Sequence, residues 1–275
     1  VGDILERTAP PADHRIHYGA GEAQFGDLFL PPIRLGRSWP VVVFIHGGWW
    51  KAQYGLEYGG YLGEALKRED VAVWSIEYRR VGNGGGYPAT FQDVAAAFDH
   101  LKVLGQSYPL DLNRVIVAGH SAGGHLAFWL AGRPHVAEDS PLFRPQPVVP
   151  VYGVVALAGA VDLRLTIDLA GWMTFAHDKQ EVVNFMGGLP DEVPERYLSG
   201  NPGDLLPFGV PQWLVQGTED DQIPPTLPER WADRGHRMGE RVTLEMIPGA
   251  DHLDIFDPAS RYWPRVKAVL LAALR

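Results

Sequence analysis

Two kinds of hydrophobic pattern alternate along the chain. Continuous apolar runs of strand length read as buried strands: "PVVVFIHGG" (40–48), "VAVWSIEYR" (71–79), "NRVIVAGHS" (113–121), "VYGVVALAGAVDL" (151–163), "PQWLVQGTEDD" (211–221) and "RVTLEMIPGADH" (241–252). Between them lie stretches with helical periodicity. In "ATFQDVAAAFDHLKVL" (89–104), Phe91, Val94, Phe98 and Leu101 share one helical face. Residues 53–69, 122–132, 228–239 and 260–275 read as further helices, and residues 14–19 with 23–32 as a leading hairpin. Strands that are apolar throughout, alternating with helices, predict a parallel sheet covered on both faces, within one α/β domain over 1–275. Residues 164–210 break the rhythm. They hold Trp172, Met173, Phe175, Phe185 and Met186 among polar residues, and are expected to form an insertion that either caps a site or is glued to the body.

In such sheets chemistry gathers where strands end. Three exits stand out. Gly119-His120-Ser121-Ala122-Gly123 fits G-x-S-x-G between a strand and a helix. The turn this requires is so tight that side chains two residues either side of the serine would collide, hence the flanking glycines. The second exit, "QGTEDDQIP" (216–224), brings three acids after a strand; alone it would read as a solvated loop. The third, "IPGADHLDIFD" (247–257), brings His252. A lone histidine says little, but the chain order Ser121, an acid near 220, His252 is the Ser…Asp…His order of one arrangement of the catalytic triad. Each member leaves its own strand, so all three reach one edge of the sheet.

A fourth exit, "FIHGGWW" (44–50), needs a reason for two glycines followed by two tryptophans. An acyl-transfer site supplies it, because backbone N–H groups must be aimed in advance at the oxyanion formed when serine attacks a carbonyl. Ala122 at a helix N-terminus is one expected donor, and Gly48 and Trp49 are the others, with Gly47 shaping the turn. Trp49 and Trp50 are expected to wall the pocket, one toward the acyl group and one against the core, with His120 and Trp172 as further substrate contacts.

These residues carry a resemblance. "HGGWW", "EYRR", "GHSAGGHLA", "GTEDDQIP" and "GADHLDIFD" resemble the α/β-hydrolase superfamily from about Val41 to the last helix. The likeness is to the esterase and lipase branch with H-G-G-[GYW], which includes hormone-sensitive-lipase-like, feruloyl-esterase-like and kynurenine-formamidase-like hydrolases. It implies a mostly parallel eight-stranded sheet with helices on both faces. It also implies Asp220 as the acid, with Asp221 the alternative, and a structural role for His46. Tryptophan where many relatives have a third glycine implies a site too crowded for bulky tertiary esters.

Composition narrows the function. The 275 residues carry a formal charge of −9, which disfavours nucleic acid and anionic membrane surfaces. No apolar run approaches the roughly 18 residues of a membrane span. The first ten residues lack a basic segment followed by an apolar one, which sets a cytoplasmic expectation. With no cysteine, thiolate nucleophiles and thiolate metal sites are excluded. There is no H-E-x-x-H, and His120 and His125 flank Ser121 without ligand spacing, so neither metal nor other cofactor is expected. The expected partner is a small ester or amide; a homodimer is compatible with the resemblance but has no signature in the chain. Three readings follow: a carboxylesterase for short- to medium-chain or aryl esters, an arylformamidase cleaving an N-formyl aryl amide, and a non-catalytic binding protein on the same fold. The complete triad disfavours the last.

Overall fold

The structure is a computed structural model and describes residues 4, 6–144, 149–170 and 178–275. Its strands are β1 (His14–His17), β2 (Phe25–Phe29), β3 (Trp39–Ile45), β4 (Ala72–Ile76), β5 (Leu110–His120), β6 (Gly153–Leu157), β7 (Gln212–Gly217) and β8 (Val242–Ile247). They form one eight-stranded sheet in the order β1-β2-β4-β3-β5-β6-β7-β8. The leading hairpin pairs antiparallel with itself and with β4, and every later pairing is parallel. This is the mostly parallel sheet that the apolar strands imply.

The helices are α1 (Gly59–Lys67), α2 (Ala89–Asp99), α3 (Leu101–Ser107), α4 (Ala122–Gly132), α5 (Leu163–Leu169), α6 (Asp178–Met186), α7 (Pro194–Gly200), α8 (Thr226–Arg237) and α9 (Trp263–Ala273). Side chains alternate across the sheet, so β3 feeds two cores at once. Val41, Val43 and Ile45 join the core with Leu101 of α3, Leu126 and Trp129 of α4, and Trp231 of α8. Val42 and Phe44 join Leu62 and Leu66 of α1 and Val266 and Leu270 of α9 in the other.

Several boundaries differ from the sequence reading. The expected helix over 89–104 is two helices meeting at His100. Of the run 151–163 only Gly153–Leu157 is strand, and Asp162 then caps α5 by accepting hydrogen bonds from the N–H groups of Arg164 and Leu165. In the segment 164–210, Phe185 and Met186 are buried in the core, and Phe185 stacks on Trp50 at 4.6 Å. These two therefore glue the segment to the body. Met173, Phe175 and Trp172, the last an expected substrate contact, lie outside the described residues.

The topology brings the site together. The chain runs from β3 outward to β4, then returns to the other side of β3 as β5. Connections that leave in opposite directions open a crevice at the strands' carboxyl ends. The loop after β3 and the turn after β5 flank that crevice, with Ile45 opposite Gly119 in register.

Candidate active site

Ser121 joins β5 to α4 with φ 55° and ψ −121°, a left-handed conformation that a non-glycine residue holds only under strain, on the order of 1–3 kcal/mol. The packing explains the flanking glycines. A Cβ on Gly119 would sit 2.0 Å from the Gly123 carbonyl oxygen, and one on Gly123 would sit 2.0 Å from that of Ile45. The collision expected from the motif is therefore real on both sides. The turn is pinned by Ser121 N–H to the Leu157 carbonyl at 3.0 Å and by Ala160 N–H to the Ser121 carbonyl at 3.1 Å. Ala122 follows as the first residue of α4, where N–H groups have no partner within the helix.

His252 and Asp220 meet at the exits of β8 and β7. Nδ1 of His252 lies 2.9 Å from Oδ2 and 3.1 Å from Oδ1 of Asp220. Asp220 is buried, and its oxygens also accept the N–H groups of Gln222 and Ile223 and the side-chain amide of Gln216. Burial pushes its carboxyl up, but the His252 ring and these donors outweigh that and hold it below the usual carboxylate range. Asp221, the alternative, is exposed and bonded to the Gln222 side chain. Asp220 is the acid that faces the histidine.

The loop after β3 has an unusual backbone. Gly48, Trp49 and Trp50 all have positive φ, at 103°, 51° and 54°. Gly48 and Trp49 line a cavity of about 410 Å³ together with Ser121 and His252. The Gly47 N–H is taken by the Tyr58 hydroxyl, which removes it from the set of free donors. Trp50 does not line this cavity. It is fully buried, stacked on Phe185 and edge-on to His125 at 5.4 Å, so its expected substrate contact is corrected to a core role.

A second layer of contacts holds that loop. His46 is buried with Nδ1 facing the Gly47 carbonyl at 2.8 Å and Nε2 facing Glu77 at 2.9 Å. Glu77 also accepts Tyr78 N–H and pairs with Arg80 at 3.2 Å, and the Tyr78 ring stacks on His46 at 4.4 Å. Burial raises the Glu77 carboxyl, yet His46, Arg80 and the Tyr78 N–H bring it below its ordinary range. This cluster was not foreseen from the sequence; the charged Glu77 and Arg80 of "EYRR", directly after a buried strand, are the feature that could have pointed to it.

Tyr54, Tyr58, Gln222 and Leu253 also line the cavity, and no sequence pattern singled them out. His120 belongs to the wall as expected, but both of its nitrogens face protein partners. Among the described residues no three His, Asp or Glu side chains are grouped as a metal ion would need, and no helix is long and apolar enough to cross a membrane.

The chain is similar to several known proteins. A probable isoprenylcysteine alpha-carbonyl methylesterase of Arabidopsis thaliana is 25% identical over 260 residues, covering 90% of this chain and 52% of that protein. The chain thus spans about half the length of that relative. A kynurenine formamidase of Salmo salar is 24% identical, covering 88% of this chain and 75% of its own. Among solved structures, esterase B of Lactobacillus rhamnosis superposes with a TM-score of 0.82 at 19% identity, covering 98% of this chain and 88% of that one. The BD-FAE family matches residues 27–232, three quarters of the sequence. The chain therefore belongs to the BD-FAE family, in the esterase and lipase branch of the α/β-hydrolases.

Proposed function

We propose that the protein is a serine carboxylesterase using Ser121, His252 and Asp220. The observation that carries this reading is one cavity lined by a strained serine, a histidine held by a buried carboxylate, and a glycine-containing loop of left-handed backbone. In this scheme His252 takes the Ser121 proton as the hydroxyl oxygen attacks the carbonyl carbon. Asp220 keeps Nδ1–H facing itself, which leaves Nε2 as the base, and stabilises the imidazolium that forms. The N–H groups of Gly48, Trp49 and Ala122 receive the oxyanion. Collapse expels the alcohol, protonated by His252, and water then releases the acid from the acyl-enzyme.

The cavity volume suits a small or medium substrate. Trp49, Tyr54 and Tyr58 offer aromatic surface, while Glu219, Asp221 and Asp251 line it with carboxylates. That lining favours neutral short- to medium-chain or aryl esters over substrates bearing a negative charge, with an effect screened by salt. A second reading, arylformamidase, is supported by the formamidase relative and by the tryptophan after H-G-G.

Turnover of p-nitrophenyl acetate, p-nitrophenyl octanoate and N-formylkynurenine, with Ser121→Ala as control, separates the readings. The expected result is faster cleavage of the esters, with the acetate-to-octanoate ratio reporting pocket length. A kcat/KM for the formamide orders of magnitude above the esters would make the protein a formamidase. Full activity in Ser121→Ala would refute both.

A further inference from the structure

The residue just before the candidate nucleophile sits at the centre of a hydrogen-bonded chain that the scheme above does not use. The Gly47 N–H donates to the Tyr58 hydroxyl. That hydroxyl lies 3.2 Å from Nδ1 of His120, and Nε2 of His120 lies 3.1 Å from the His252 carbonyl oxygen. The direction of every bond follows from chemistry. A carbonyl oxygen only accepts, so Nε2 of His120 carries hydrogen. The Tyr58 oxygen already accepts from Gly47, which leaves its own proton for Nδ1. His120 is therefore neutral, with hydrogen on Nε2, in agreement with burial, which with the nearby His252 lowers its pKa to about 3.

The rings are packed as firmly as they are bonded. Phe256 lies edge-on to Tyr58 at 4.9 Å and tilted against His120 at 5.3 Å, and His120 lies 4.7 Å from the His252 ring. The chain begins one residue before Gly48, an expected oxyanion donor, and ends on the backbone of the expected base. Its middle member is covalently next to Ser121.

We propose that His120 is a positioning residue: with Tyr58 it forms a strut that holds the 47–49 loop and His252 at a set separation on either side of Ser121. The inference rests on the serine-hydrolase reading. It assigns His120 to alignment instead of substrate contact, since both ring nitrogens are committed within the protein. Misplacement of a catalytic group by about 1 Å can cost on the order of 100-fold in rate, so a loosened strut is expected to appear in kcat.

Three single variants and one double variant test it on p-nitrophenyl acetate, each with a thermal unfolding curve. His120→Leu removes both bonds, Tyr58→Phe removes the link to the 47–49 loop, and His120→Gln keeps an amide donor for the His252 carbonyl. The expected result is a fall in kcat of about 10- to 100-fold in His120→Leu and Tyr58→Phe, with KM changed less than about twofold. Partial recovery is expected in His120→Gln. Because Tyr58 acts through His120, the Tyr58→Phe/His120→Leu double variant should be little slower than the worse single one.

The strut is overturned if His120→Leu and Tyr58→Phe keep wild-type kcat and lose only melting temperature. It is equally overturned if the loss lies in KM, or if the two effects multiply. Should His120→Leu fail to fold, Tyr58→Phe and His120→Gln decide by the same criteria. An inactive Ser121→Ala alongside unaffected strut variants removes the strut alone, whereas a fully active Ser121→Ala removes the serine mechanism and the strut together.

Discussion

Two buried histidine–carboxylate pairs stand at the same edge of the sheet, His46 with Glu77 and His252 with Asp220, each with a nitrogen–oxygen distance of 2.9 Å. The pairs differ in what the second nitrogen meets. In His46 both nitrogens face groups within the protein, a carbonyl and a carboxylate, and the residue does not line the cavity. In His252 only Nδ1 meets the carboxylate, and the residue lines the cavity beside Ser121. The same two groups at the same distance thus make a closed clamp in one place and, in the proposed scheme, an acid–base pair in the other. Proximity of histidine to carboxylate does not by itself set the proposed base apart from the clamp; the environment of the remaining nitrogen does.

The sharpest break of this comparison is His252→Ala, for which kcat is expected to fall by about 10⁴-fold or more, with a smaller loss of melting temperature than in Glu77→Gln. Steady-state turnover alongside thermal unfolding checks both halves, and a variant that kept near-normal kcat would erase the distinction. Asp220→Asn should cost slightly less, about 10³- to 10⁴-fold, because an amide no longer favours the tautomer with hydrogen on Nδ1.

Glu77→Gln should reverse the pattern. It leaves Arg80 and His46 facing a neutral group in the interior, and unfolding in urea is expected to show a loss of about 3–5 kcal/mol. The kcat of the molecules that remain folded should fall far less than in His252→Ala. Comparable kcat losses in the two variants would mean that the clamp and the acid–base pair cannot be told apart.

The smallest effect concerns pH. Burial lowers the pKa of His120 and of His125 to about 3, against an ordinary 6.5. The unfolded chain therefore binds protons that the folded chain rejects. Their contribution to stability is complete above pH 6.5 and is lost as pH falls from there toward 3. On unfolding at pH 5 these residues should together bind about two protons from solution, measured as the slope of unfolding free energy against pH, and about one in His120→Gln. Asp220 and Glu77, held below the ordinary carboxylate range, act in a lower window. Their stabilisation is present above that range and disappears as pH drops through it. A flat profile between pH 6.5 and 5 would contradict the buried neutral histidines.

Much of this molecule was legible in its order of residues. Continuous apolar runs between helical periods specify a parallel sheet because only a sheet buried on both faces needs strands without polar positions. Gly119 and Gly123 around Ser121 mark the tight turn because any larger residue there strikes backbone. The order of Ser121, Asp220 and His252 was readable because parallel strands deliver their exits to one edge. Local patterns could not separate neighbours in a loop or neighbours in an aromatic pair. Asp220 and Asp221 are equivalent in sequence, and their difference comes from the backbone that buries one against His252 and exposes the other. Trp49 and Trp50 are likewise adjacent and alike, yet consecutive left-handed residues send one to the cavity and the other against Phe185, 135 positions further along the chain. Tyr58, just before α1, and His120, at the end of β5, meet only in the folded chain, a contact between residues 62 apart in sequence. Periodicity and steric exclusion act over a few residues and can be read along the chain. Which polar group finds which partner is settled by distances that exist only once the layers are stacked.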